Sequence, residues 1–178
     1  MIILMTNDHD TPTQGLAGRI HRRRAFESSR EEAYLSLMLT VSLLESGVTA
    51  LLKERDLTQP AYNALRILAG DDASLTCSEI RDRMIARVPD VTRLIDRLVN
   101  RGLVSRERSQ RDRRVVRVAI TPAGRAAIAG LADRLIEHHD HTLASLTDDE
   151  TNQLIALLTR ARAGVESPAS SAQGKDKP

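Results

Sequence analysis

Two hydrophobic rhythms run along the chain. From Tyr34 to Leu52 apolar residues recur at helical spacing through Leu37, Met38, Val41, Leu44, Val48 and Leu51. Leu35, Leu39 and Leu43 widen the stripe, so this helix covers more than one side, as a core helix or as a subunit interface. Ser28, with Glu31 three residues on, predicts its start as a capping box. A second helix is predicted from Thr58 to about Gly70, with Pro60 tolerated in its first turn. TCSE at 76–79 opens a third. The fourth opens at Val88-Pro89, with Pro89 suited to the first helical position and Gly102 a natural stop. Val91, Leu94, Ile95 and Leu98 form its apolar face, and Thr92, Arg93, Asp96, Arg97 and Asn100 fall outside it.

The period then shortens to two. LVSRERS and RRVVRVAIT predict two strands around the turn SQRDR, with Val116, Val118 and Ile120 anchoring one face on the core. Thr121-Pro122 caps a fifth helix running to about Ser145. TDDE at 147–150 opens the last, whose stripe is Leu154, Leu157, Leu158 and Ala161. The expected fold class is mainly α with a small β-hairpin wing. Residues 1–27, with Gly15, Gly18 and HRRR at 21–24, read as a flexible arm, and 164–178 as a disordered tail, leaving an ordered region at 28–163.

Composition narrows the function classes. The chain is 41% hydrophobic but only 2% aromatic, without Trp, so its core is aliphatic and modules that stack bases on exposed rings are disfavoured. The formal charge of +2 conceals an uneven distribution. Residues 81–125 carry thirteen Arg against five acids, an excess of eight, which leaves the remainder at −6. A local basic patch of one sign is the footprint of a polyanion, although a salt-bridged surface has the same composition. The single cysteine, Cys77, excludes an intramolecular disulfide and points to the cytoplasm. MIILM lacks a basic leader, and no apolar run is expected to reach the ~20 residues of a membrane span.

Helix, turn, helix, then hairpin is the order of a winged helix-turn-helix. A helix fits the major groove of B-DNA, where long donors on its outer face reach base edges. An arginine at the hairpin tip gains from the negative potential of a narrow minor groove. Asp112, amid Arg111, Arg113 and Arg114, would weaken binding if it faced DNA, so it is expected to orient a neighbouring arginine.

The run VPDVTRLIDRLVNRGLVSRERSQRDRRVVRVAITPAGRA resembles the recognition helix and wing of the MarR family of bacterial transcription regulators, and LTQPAYNALRIL at 57–68 resembles its second helix. The likeness spans about 32–162, and the D-x-R of the wing, Asp112-Arg113-Arg114, is its most telling motif when a β run and TPAG follow. The resemblance implies a homodimer built from 28–55 and 122–163, a DNA-binding region at 57–121, double-stranded DNA with a pseudo-palindromic operator as partner, repression, and a small-molecule effector. It implies that Arg114 enters the minor groove, with Arg113 able to exchange roles. It also implies that Pro89, Thr92, Arg93 and Arg97 lie in or near the major groove and that Asp112 orients an arginine. No cofactor is implied.

Other readings of single residues stay open. Arg93 and Arg97 pair with Asp90 or Asp96 if they are only surface arginines. Arg106, Arg108 and Arg117 flank the wing as phosphate contacts or as solvated groups, and some of Arg81, Arg83 and Arg87 face the DNA backbone. Cys77, in the first turn of a helix, reads as a small buried residue ahead of a redox switch. His138, His139 and His141 in EHHDH read as solvent or interface histidines ahead of metal ligands, since no further ligand is marked. No catalytic motif is present, so an enzyme is not expected. The alternative from another class is a winged-helix interaction module whose basic face binds protein or RNA.

Overall fold

The computed structural model describes residues 15–71, 74–108 and 114–166. The chain divides after Ala132 into two compact units.

In the first unit, α1 (Leu16–Arg19) leads into the long α2 (Ser29–Lys53), followed by α3 (Gln59–Gly70), α4 (Cys77–Arg83) and α5 (Val91–Asn100). Strands β1 (Val104–Arg108) and β2 (Val116–Ile120) come next, then α6 (Pro122–Ile128). The strands pair antiparallel with Val104 opposite Ile120 and Arg108 opposite Val116. Leu75, just before α4, exchanges two backbone hydrogen bonds with Val118, at 2.9 and 2.7 Å, and so adds a one-residue third rung to the hairpin. This is the mainly helical winged-helix architecture that the hydrophobic pattern predicts.

Helix α3 is the hub. It packs against α2, α4, α5, α6 and β2. Ala64, Leu65 and Leu68 from α3, Ile80 from α4, Ile95 and Leu98 from α5 and Val118 from β2 are each at most 1% exposed. Their aliphatic character bears out the low aromatic content, since close packing here depends on interlocking branched side chains. Val116, expected on the core face, is 44% exposed because the hairpin leaves the core before that position.

Local signals account for the helix starts, with three corrections. Thr76 and Glu79 close a reciprocal capping box at α4, as Thr147 and Glu150 do at α8 (Asp148–Glu166). At α2 only half of the expected box forms. Ser28 accepts the Glu31 N–H, but the Glu31 carboxylate reaches back to the Glu27 N–H and to Arg22 instead. Helix α5 starts two residues later than Pro89. Asp90 is its N-cap, accepting the Arg93 N–H at 2.9 Å, and a carboxylate cap leaves Pro89 outside the helix. The single fifth helix expected to Ser145 is two, α6 and α7 (Leu131–Thr142). Gly130 between them has φ +71°, a left-handed conformation that ends a helix.

The amino-terminal arm is also more ordered than expected. Between 15 and 27 it forms α1, and Arg22 both ion-pairs with Glu31 at 2.8 Å and stacks 4.5 Å over Phe26. Residues 1–14 and 167–178 lie outside the described residues.

Helix α2 departs from expectation most. It has 25 residues and a mean hydropathy of 1.7 over an 18-residue window, so by length and composition alone it could cross a membrane. Glu45 is the only charged residue from Ala33 to Leu52, so an apolar run of about the length expected to be absent is present in α2. Only Leu52 is buried in α2, while Tyr34, Met38, Val41 and Leu43 are each about half exposed or more.

In the second unit, α7 continues from Asp133 and α8 follows after a short turn. No residue of α8 is buried, and Ile155 and Leu157 are exposed.

Candidate nucleic-acid interface

The site is built from α5 outward. Val91, Leu94, Ile95 and Leu98 are buried, as the helical spacing requires, and this sets the phase of the helix. Thr92, Arg93 and Arg97 therefore face solvent. Pro89 is exposed at the approach to the helix. Val88, Pro89, Asp90, Arg93, Asp96 and Arg97 line one open concavity of about 500 Å³. Four charged groups thus surround an apolar floor on one side of the helix.

Their pairing is unequal. Arg93 Nε lies 3.1 Å from Asp90 Oδ2, while the Arg93 side chain remains 85% exposed. Asp96 is not paired with Arg97. It is held by Arg106 of β1 at 2.5 Å, which ties the helix to the wing. Arg97 makes no ion pair among the described residues. Opposed charges at helical spacing in Arg93, Asp96 and Arg97 were visible in the sequence, but the Asp96–Arg106 partnership joins two elements and carried no local signal.

Other basic residues divide into anchored and outward groups. Arg117 donates to the Ser74 carbonyl, so it braces the wing against the segment before α4. Arg101 binds both the carbonyl of Asp56, at 2.6 Å, and its carboxylate, at 3.1 Å, fixing the end of α5 to the turn after α2. Arg83 pairs with Asp71, and Arg81 with Asp82 and Ser78. Arg87 and Arg108 are exposed. Arg114 is exposed where the chain re-enters the hairpin. Arg111, Asp112 and Arg113 lie outside the described residues.

The remaining candidates do not join this surface. Cys77 is half-buried, not buried as expected, because the first turn of α4 lies at the edge of the core. His138 is half-buried, with Nε2 enclosed and without a hydrogen-bond partner, whereas His139 and His141 are exposed. Among the described residues no three His, Cys, Asp or Glu side chains are grouped to hold a metal ion.

An exposed, arginine-bearing helix beside an arginine-bearing hairpin can place donors against both base edges and phosphates. Comparison with known proteins agrees. Residues 57–116 match the model of the MarR family. The HTH-type transcriptional repressor IacR of Pseudomonas putida is 31% identical over 158 residues, spanning 86% of this chain and 94% of that protein. The crystal structure of a MarR transcription factor from Planctomyces limnophilus is similar at 37% identity, 76% coverage of this chain, 98% of the other and a TM-score of 0.57. The S. aureus MepR–DNA complex shares the fold at 22% identity and a TM-score of 0.65, covering 74% and 96% of the two chains. With its winged-helix fold and a relative this similar along nearly its whole length, the chain belongs to the MarR family of DNA-binding transcriptional regulators.

Proposed function

We propose that the protein is a homodimeric, ligand-responsive repressor that reads a pseudo-palindromic operator through α5 and the wing. The observation that carries this reading is the solvent-facing row of Thr92, Arg93 and Arg97, backed by a fully buried apolar face, beside a hairpin that leads to Arg111–Arg114. Two such helices in a dimer enter major grooves roughly one turn apart, ~34 Å. Arg114, or Arg113 in its place, enters the flanking minor groove, and Asp112 orients an arginine at the tip. Pro89 adds an apolar contact and Arg111 a phosphate contact.

The dimer reading rests on the apolar faces of residues 28–55 and 122–163. Helices α2 and α8 each expose large aliphatic side chains, and a second copy covers such faces at lower cost than water. The same faces, rather than a membrane, account for the hydropathy of α2, and the protein then works in the cytoplasm. Repression follows the relative IacR, whose name describes a repressor. An effector seated beside the long helices changes the spacing of the two reading heads, and operator affinity changes by the coupling free energy between the sites.

The test is fluorescence anisotropy of the purified protein with DNA from upstream of its own gene, over a salt series. The expected result is preference over random DNA, with a log–log salt slope near −0.9 per phosphate contact. Arg114→Ala is expected to weaken binding by ~1–3 kcal/mol. Salt-insensitive binding without preference over random DNA, together with capture of a protein or RNA by the same face, establishes an interaction module instead.

A further inference from the structure

We propose that Asp90 is a positioning residue that presents Arg93 to a guanine in the operator half-site. This rests on the operator-reading function above and deepens it by naming the base and the residue that orients its reader.

The Asp90 carboxylate uses both oxygens. Oδ1 accepts the Arg93 backbone N–H at 2.9 Å and caps α5. Oδ2 lies 3.1 Å from Nε of the same arginine. One acid thus caps the helix and lies in ion-pair contact with the guanidinium. The ion-pair contact is at Nε, which leaves the two terminal nitrogens of Arg93 as donors for a ligand on a side chain that is 85% exposed. That pair of donors matches guanine O6 and N7, the one base-edge pattern in the major groove offering two acceptors side by side. Holding the guanidinium before DNA arrives lowers the rotamer entropy lost on binding.

An acid on a DNA-facing surface also repels phosphates, so retaining Asp at this position has an electrostatic cost. The cap alone does not require it, because Asn, Ser or Thr cap a helix about as well. The charge is favoured by the helix N-terminus, and 3.1 Å from Arg93 Nε it acts on that side chain as well. The neighbouring charges leave this role to Asp90, since Asp96 is occupied by Arg106 and Arg97 has no ion-pair partner among the described residues.

The experiment separates the charge from the cap. The preferred operator is selected from random duplexes with the full chain, and each G·C pair of the half-site is changed singly to A·T. Wild type is expected to lose roughly 5- to 150-fold in affinity at one guanine, the cost of a lost bidentate contact. Asp90→Asn keeps the cap and the thermal midpoint, binds random DNA more tightly because a negative charge is gone, and reduces the penalty at that guanine several-fold. Arg93→Ala removes the penalty altogether. The proposal is overturned if Asp90→Asn keeps the full wild-type penalty, if the penalty persists in Arg93→Ala, or if no guanine in the half-site matters. Selection that returns no preferred sequence overturns the operator-reading function itself, and is distinct from all three.

Discussion

Asp96 of α5 and Arg106 of β1 form an ion pair at 2.5 Å. The pair joins the two elements through which we propose the protein reads DNA. It is partly exposed, so its contribution to folding is expected to be small, about 0–1 kcal/mol. Its effect on binding differs, because a wing that swings relative to α5 cannot seat both in adjacent grooves. Operator affinities of Asp96→Ala, Arg106→Ala and the double variant are expected to be non-additive by about 0.5–1.5 kcal/mol. Additive losses would show that the wing is positioned without this pair.

Gly124 packs where no side chain fits. A Cβ there would overlap the Leu103 carbonyl oxygen and lie 2.8 Å from Ile120 Cγ1. The close approach follows from Thr121, which donates its hydroxyl to the Gly102 carbonyl at 2.7 Å and accepts the Gly124 N–H at 3.0 Å. Gly124→Ala is expected to destabilise the protein by about 1–3 kcal/mol or more through overpacking. Urea unfolding measures this directly, and an unchanged midpoint would mean that α6 shifts freely away from β1.

That packing also explains why TPAG was informative in the sequence. Thr121 caps, Pro122 starts the helix and Gly124 admits the Leu103 backbone, so each letter has a local cause. The helix faces were legible for the same reason, and the phase inferred for α5 places all four of its apolar residues in the core. Three features were not legible. Helix α5 starts at Val91 rather than at Pro89, because the Asp90 carboxylate caps it one residue further on. Gly130 lies inside the single helix expected from Thr121 to Ser145, and its positive φ breaks that helix in two. Arg106 and Arg117 gave no local hint of being anchored, since Asp96 and Ser74 come from other segments. The sequence left these arginines as phosphate contacts or solvated groups, whereas the folded chain ties Arg106 and Arg117 to neighbouring segments.

Acid should loosen two helix starts. Glu79 and Glu150 each accept hydrogen bonds from the backbone N–H and then the hydroxyl of Thr76 and Thr147, and these hold both carboxyls below their usual value of 4.5. A carboxyl depressed in the folded state favours folding above the unfolded value, and that contribution disappears as pH falls through the folded one. Thermal stability is expected to hold steady above pH 4.5 and to decline below it. The double variant Glu79→Gln, Glu150→Gln keeps the hydrogen bonds without the charge. Its stability should vary less than wild type below that pH, and an identical decline would place the acid sensitivity in other groups.

Helix α2 carries an exposed apolar face. Met38 is 56% and Tyr34 63% exposed on a helix whose only buried residue is Leu52. If a second copy covers this stripe, both side chains lose their contact with water on assembly, and each contributes on the order of 1–3 kcal/mol. Met38→Glu would place a charge in the covered face, where an unpaired carboxylate costs several kcal/mol. Light scattering should then report a dimer for wild type and a monomer for the variant at micromolar concentration. Operator binding should fall more than monomer stability does, because one reading head makes half the contacts and the α3 hub is untouched. A variant that stays dimeric with full operator affinity would move the interface away from α2. A variant that leaves wild-type mass unchanged but releases the protein from lipid would instead assign this helix to a membrane, the other environment its hydropathy of 1.7 permits.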